Sequence, residues 1–199
     1  MQKERLNAFS DGVIAIIVTI MVLELKVPHG AAWDDLATLI PVFLSYVLSF
    51  VYVAIYWNNH HHLMHACEKV DAAILWANNH LLFWLSLIPF ATGWMGENHF
   101  AALPTALYGV ALLMPAIAYF ILQKAILRRH GNDGVLARAL GTNFKAKLSP
   151  ILYVTAIALA FLSPWLSCAI YAVVALMWVI PDKRIEKLVE DSVATERKA

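Results

Sequence analysis

The chain has 199 residues, of which 61% are hydrophobic and only 15% charged, with a mean hydropathy of +0.65. A water-soluble domain carries about 25% charged residues, so this composition excludes an ordinary soluble fold. A net charge of +1 gives no electrostatic basis for binding nucleic acid.

The charges are clustered, and long apolar runs lie between them. Runs of about twenty apolar residues are the length of helix that crosses about 30 Å of hydrocarbon. Helices are the expected elements because the bilayer offers backbone groups no water. The alternating pattern of a membrane barrel is not present. The first predicted span covers 6–25 and stops at Lys26-Val27-Pro28-His29-Gly30. The segment before it, MQKERLNAFSDG, lacks a small-residue cleavage site and reads as the start of that span, not as a signal peptide. The second span covers 36–60. The third covers 72–95 and breaks at Gly96-Glu97-Asn98. The fourth covers 102–127, before the basic loop Arg128-Arg129-His130-Gly131-Asn132-Asp133-Gly134. The fifth and sixth, 148–162 and 165–180, are short, and Ser163-Pro164 divides them like the turn of a tight hairpin. Residues 1–181 therefore read as a six-helix membrane domain and 182–199 as a charged cytoplasmic tail. Cys67 and Cys168 stand far apart, with no CxxC or metal spacing.

Six spans place both termini and the second and fourth connections on one side. Of the fifteen lysines and arginines, only Lys26 falls on the other side. The positive-inside rule makes the basic side cytoplasmic. The expectation is a multi-pass protein of the inner (plasma) membrane with both termini in the cytoplasm.

The first span carries the most information. At about 100° per residue, Ile16, Ile20 and Leu23 share one stripe, with Thr19 on its shoulder and Phe9 in line below. Ser10 and Asp11 point to other sides. Ionisable groups at this depth are costly and face a bundle interior or water.

The stretch RLNAFSDG places Arg5, Phe9, Ser10 and Asp11 in an R-x-x-x-F-S-D spacing inside a first membrane helix. It resembles the signature of the transmembrane-protein-175 family of potassium channels, in its bacterial branch. The similarity continues through Thr19 to Pro28, Tyr56-Trp57-Asn58-Asn59-His60-His61, and Asn79 to Trp84 and on to Ile88-Pro89-Phe90. The resemblance implies an all-α integral membrane protein with six helices per subunit. It implies a homotetramer whose first helices line a central pore that passes potassium ions, with no cofactor. It also implies that apolar side chains, here Ile16, Ile20 and Leu23 beside Thr19, do the work of the TVGYG filter, which this chain lacks. Ser10 and Asp11 are then expected to bond within the subunit, with Asn79 and His80 as the candidate partners.

Three function classes compete. A passive channel fits a first helix that is smooth at its centre. A secondary transporter would want broken helices and polar groups at mid-membrane, and a proton-permeable protein would use Asp11 as a relay. The off-stripe position of Asp11 favours a structural hydrogen bond. An enzyme would need catalytic groups gathered at one depth, which only the histidine run 60–65 approaches. Within that run, His61 and His65 have the i, i+4 spacing that can hold zinc. No H-E-x-x-H glutamate accompanies them, so they read as interface residues and no metal is expected.

Overall fold

The computed structural model of the chain describes residues 3–65, 67, 69–130 and 144–179. The predicted tail 182–199 and the loop beyond His130, with Arg138, lie outside the described residues. All regular structure among the described residues is helical: α1 (Lys3–Leu23), α2 (Trp33–Ala37), α3 (Ile40–His65), α4 (Ala72–Ser86), α5 (Ile88–Glu97), α6 (Ala102–His130), α7 (Phe144–Leu159) and α8 (Pro164–Val179). Among the described residues four stretches are long and apolar enough to cross a bilayer: Lys3–Leu23, Ile40–His65, Ala72–Glu97 and Ala102–Arg129. The fifth and sixth predicted spans fall on α7 and α8, which have sixteen residues each.

Local sequence explains where the helices depart from the predicted spans. The second span does not begin at Leu36. That residue belongs to the short α2, and α3 starts at Ile40, with Pro41 in its first turn. Proline suits that position, where its missing N–H would have no helical partner. At its other end α3 runs on through His61 and His62 to His65. The third span starts where the Asp71 carboxylate accepts a hydrogen bond from the Ile74 amide at 2.9 Å, a helix N-cap. It is interrupted at Leu87, between α4 and α5. Pro89 has no amide to offer the carbonyl of Leu85, and the helix is reset there.

Two apolar clusters hold the bundle. One joins α1, α3, α4 and α6 through residues such as Ile17, Val53, Leu81 and Leu122. The other joins α3, α5, α6, α7 and α8 through Tyr52, Met95, Tyr108, Tyr153 and Tyr171. Neighbouring residues Tyr52 and Val53 enter different clusters, so α3 is the element the two halves share. In a bilayer, helices associate by close packing and interhelical hydrogen bonds, because lipid tails are as apolar as the side chains. Both devices are present. Ser49 bonds Thr92 at 2.7 Å and Tyr108 at 2.9 Å. The Tyr52 hydroxyl donates to the Tyr171 carbonyl at 2.7 Å. At Gly109, α8 comes so close that an added Cβ would meet the Tyr171 hydroxyl, which donates to the Thr105 carbonyl at 3.2 Å. The hairpin α7–α8 is tied by Ser167 donating to the Ala156 carbonyl at 2.7 Å and by Trp178 donating to Ser149 at 2.8 Å.

Both ends of α1 are tethered. The Lys3 ammonium donates to the carbonyl of His65 at the end of α3 at 2.9 Å. Just beyond the other end, Lys26 pairs with Glu97 at the end of α5. Glu97, by hydrogen bond and charge, raises the Lys26 amine above its ordinary value. A raised amine keeps its contribution at neutral pH and loses it as pH rises through the folded-state value.

Candidate pore-lining site

α1 has two faces that differ in kind. Leu6, Ser10, Ile14, Ile17 and Met21 are buried, at the 4-4-3-4 spacing of a helix seam. This seam packs on α3, α4 and α5. The face turned away from that seam has no packing partner among the described residues. Phe9, Ile16, Ile20 and Leu23 are exposed there, Ile16 by 58% and Leu23 by 77%. Gly12 is exposed between them, and a Cβ added to it would meet nothing within 4 Å. The Thr19 hydroxyl lies on the same open side and donates to the Ile16 carbonyl at 2.8 Å. Its hydrogen is thereby committed to the backbone, and its oxygen keeps lone pairs for an outside donor or cation.

A buried polar clamp fixes how α1 is rotated. Ser10 is fully buried. Its hydroxyl donates to the Leu6 carbonyl at 2.9 Å and accepts from the Asn78 amide at 3.0 Å. The Asn78 carbonyl oxygen lies 2.7 Å from Nε2 of the buried His60. Since that oxygen only accepts, Nε2 carries the proton. One chain of bonds therefore joins α1, α4 and α3, with each polar group satisfied by the next. Beside it, at the exposed edge, the Asp11 carboxylate accepts from the Trp57 indole at 3.0 Å.

The structure brings Ser10 and Asp11 to intrasubunit partners, but not to the pair picked from sequence. Asn79 is exposed, and His80 accepts from the indole of Trp84 on its own helix at 2.8 Å. Helical phase is the reason. Buried positions on α4 include Ile74, Asn78, Leu81 and Leu85, and Asn79 is turned about 100° away. The same phase on α3 includes Ser49, Val53, Tyr56 and His60. A count of apolar periodicity through Asn78-Asn79-His80 would have selected Asn78. Trp57 stands in the sequence only as part of the stretch Tyr56-Trp57-Asn58-Asn59-His60-His61, with nothing there to pair it with Asp11. Arg5 is exposed at the start of α1, one turn before Phe9, and stands apart from the clamp. His61 and His65 have ring centroids 6.4 Å apart. Among the described residues no group of three or more potential ligands forms around them or elsewhere.

Comparison with known proteins places this arrangement. The family model described as the endosomal/lysosomal potassium channel TMEM175 matches residues 5–89, which hold all but the first two residues of α1, the clamp and the break at Leu87. A potassium channel of Chryseobacterium sp. (strain P1-3) is 55% identical over 192 residues, covering 96% of this chain and 100% of that one. The chain belongs to the TMEM175 family. A potassium channel of Streptomyces collinus is 32% identical and covers 89% of this chain and 91% of its own. The crystal structure of a lysosomal potassium-selective channel TMEM175 homolog from Chamaesiphon minutus superposes with a TM-score of 0.76 at 31% identity. It covers 89% of this chain and 96% of that one. TMEM175 proteins are ion channels, not enzymes.

Proposed function

We propose that the protein is a potassium-preferring cation channel, a symmetric homotetramer in which four α1 helices line a central pore. Each subunit crosses the inner (plasma) membrane six times, with both termini in the cytoplasm. One observation carries the reading. The clamp turns α1 so that its apolar stripe has no partner among the described residues, the face that a ring of identical helices would bring to a common axis. The relatives named potassium channels support the choice of ion.

The constriction is apolar. An isoleucine ring cannot replace a hydration shell as a carbonyl filter does; it narrows the pore until an ion sheds water or the pore dewets. Sodium holds its water more tightly than potassium, so the ring penalises sodium more. Ile16 forms the narrowest ring, with open space at Gly12 on one side, and Ile20 and Leu23 form further layers. The Thr19 oxygen returns part of the lost coordination beside the ring.

The test is flux through purified protein in liposomes, potassium against sodium. Ile16→Asn should wet the ring, raise flux and erode the potassium preference. Ile117→Asn, at an exposed position on α6, should change neither. If Ile16→Asn assembles normally and conducts and selects as before, the hydrophobic-ring mechanism is wrong. The break at Leu87 favours a second reading, coupled transport, because transporters build their sites on discontinuous helices. Against it, the hydroxyls near the break, Ser49, Thr92 and Tyr108, are buried and bonded to one another. Flux that follows the potassium gradient with no coupled ion separates the two.

A further inference from the structure

We propose that the cleft between α4 and α6 is a binding site for the headgroup of an anionic phospholipid, drawn from the leaflet that meets the C-terminal end of α6. The cleft has a volume of about 700 Å³, within the range of ligand sites. It is independent of the pore stripe and requires only that α4 to α6 cross the membrane.

Depth sets the chemistry. α6 has 29 residues, and at ~1.5 Å per residue it is ~43 Å long, against about 30 Å of hydrocarbon. Its last turns therefore project through the headgroup layer. Those turns carry Lys124, Arg128 and Arg129, all exposed and all lining the cleft. The opposing wall on α4 supplies a single carboxylate, Asp71. One of its oxygens caps α4, and the other lies 3.8 Å from Nε of Arg129, beyond hydrogen-bond range. Lys124 rests over the ring of Phe120 at 5.4 Å. Arg128 has no acidic partner among the described residues. Three cations thus face one carboxylate, and two of the cations are guanidinium forks, which match a phosphodiester bidentately. Basic pockets between membrane helices hold anionic headgroups on this basis.

The other walls distinguish a lipid from a soluble anion. Trp76, 75% exposed, stands on the α4 side, where an amphipathic ring belongs at headgroup depth. Phe120 and Ile121, both exposed, continue the wall from the basic residues towards the membrane interior. A soluble phosphate makes no use of that apolar wall, whereas the acyl chains beneath a headgroup lie along it.

Native mass spectrometry of the purified full chain in neutral detergent tests the site, with phosphatidylglycerol and phosphatidylcholine of identical acyl chains added in equal amounts. The wild type should retain phosphatidylglycerol on the order of tenfold better. Lys124→Gln, Arg128→Gln and Arg129→Gln together should bring the preference close to one. Should that variant fail to fold, Arg128→Gln alone carries the test and must lower the preference. Asp71→Asn keeps a competent helix cap and should strengthen the preference. Equal retention of the two lipids by wild type, or an undiminished preference in the glutamine variants, overturns the proposal. So does full displacement of the lipid by millimolar inorganic phosphate, which would identify a soluble-anion site.

Discussion

Ser10 and Asp11 are adjacent in sequence and unequal in the structure. Ser10 is fully buried and both receives and donates a hydrogen bond, whereas Asp11 sits at an exposed edge with the single indole of Trp57. Ser10→Ala leaves the buried Asn78 amide without its acceptor, a loss of about 1–3 kcal/mol. Asp11→Ala frees a donor that other groups or water can satisfy, and should cost less. Melting curves of the detergent-solubilised protein should rank Ser10→Ala below Asp11→Ala and wild type above both; the reverse order would remove the clamp from its central place. The sequence marked both residues as needing partners, because polar side chains inside an apolar helix always do. It did not show which of them the fold would bury. That depends on how α1 sits against α3 and α4, and His60 and Asn78 lie 50 and 68 positions further along the chain than Ser10.

At the scale of helices, length and hydropathy made the four long apolar stretches legible, since a bilayer imposes a minimum length on every crossing. The interruptions were harder to read. Pro89 was visible in the sequence, yet the surrounding residues are apolar enough for the third span to look continuous, and the reset at Leu87 follows only from counting backbone donors. Close helix approaches were not legible at all. Gly96, read from sequence as part of a loop-forming break, lies within α5 against α3. A Cβ there would come within 2.5 Å of the Ser45 hydroxyl and 2.7 Å of the Val42 Cα. Backbone cannot give way as a flexible side chain can. Gly96→Ala should therefore separate α5 from α3 and cost about 1–3 kcal/mol, read as a lowered melting temperature. Gly12→Ala, facing open space on α1, should leave the melting temperature of the dissociated subunit nearly unchanged.

At the scale of the molecule, the proposed tetramer would turn the four α1 stripes towards a common axis instead of towards lipid. Chemical cross-linking or native mass spectrometry of the conducting preparation should give four subunits. A conducting monomer or dimer would remove the shared pore. In that proposed assembly Ile16 and the Lys26–Glu97 tether would repeat four times, so a change of one residue would act at four places around the axis.

The α7–α8 hairpin sets a different demand, on the lipid. Among the described residues its helices span sixteen positions each, and the charges of Lys145 and Lys147 belong outside hydrocarbon. Sixteen residues reach ~24 Å, about 6 Å less than an average bilayer core. In the proposed six-span subunit, where both helices cross, the membrane around this hairpin would have to thin, at a cost of fractions of a kcal/mol for each ångström of hydrophobic mismatch. The protein should therefore be more stable in bilayers of shorter acyl chains. Reconstitution across a series of chain lengths should show flux and thermal stability falling together as the bilayer thickens. In that proposed arrangement, membrane thickness would become a variable to which the channel responds.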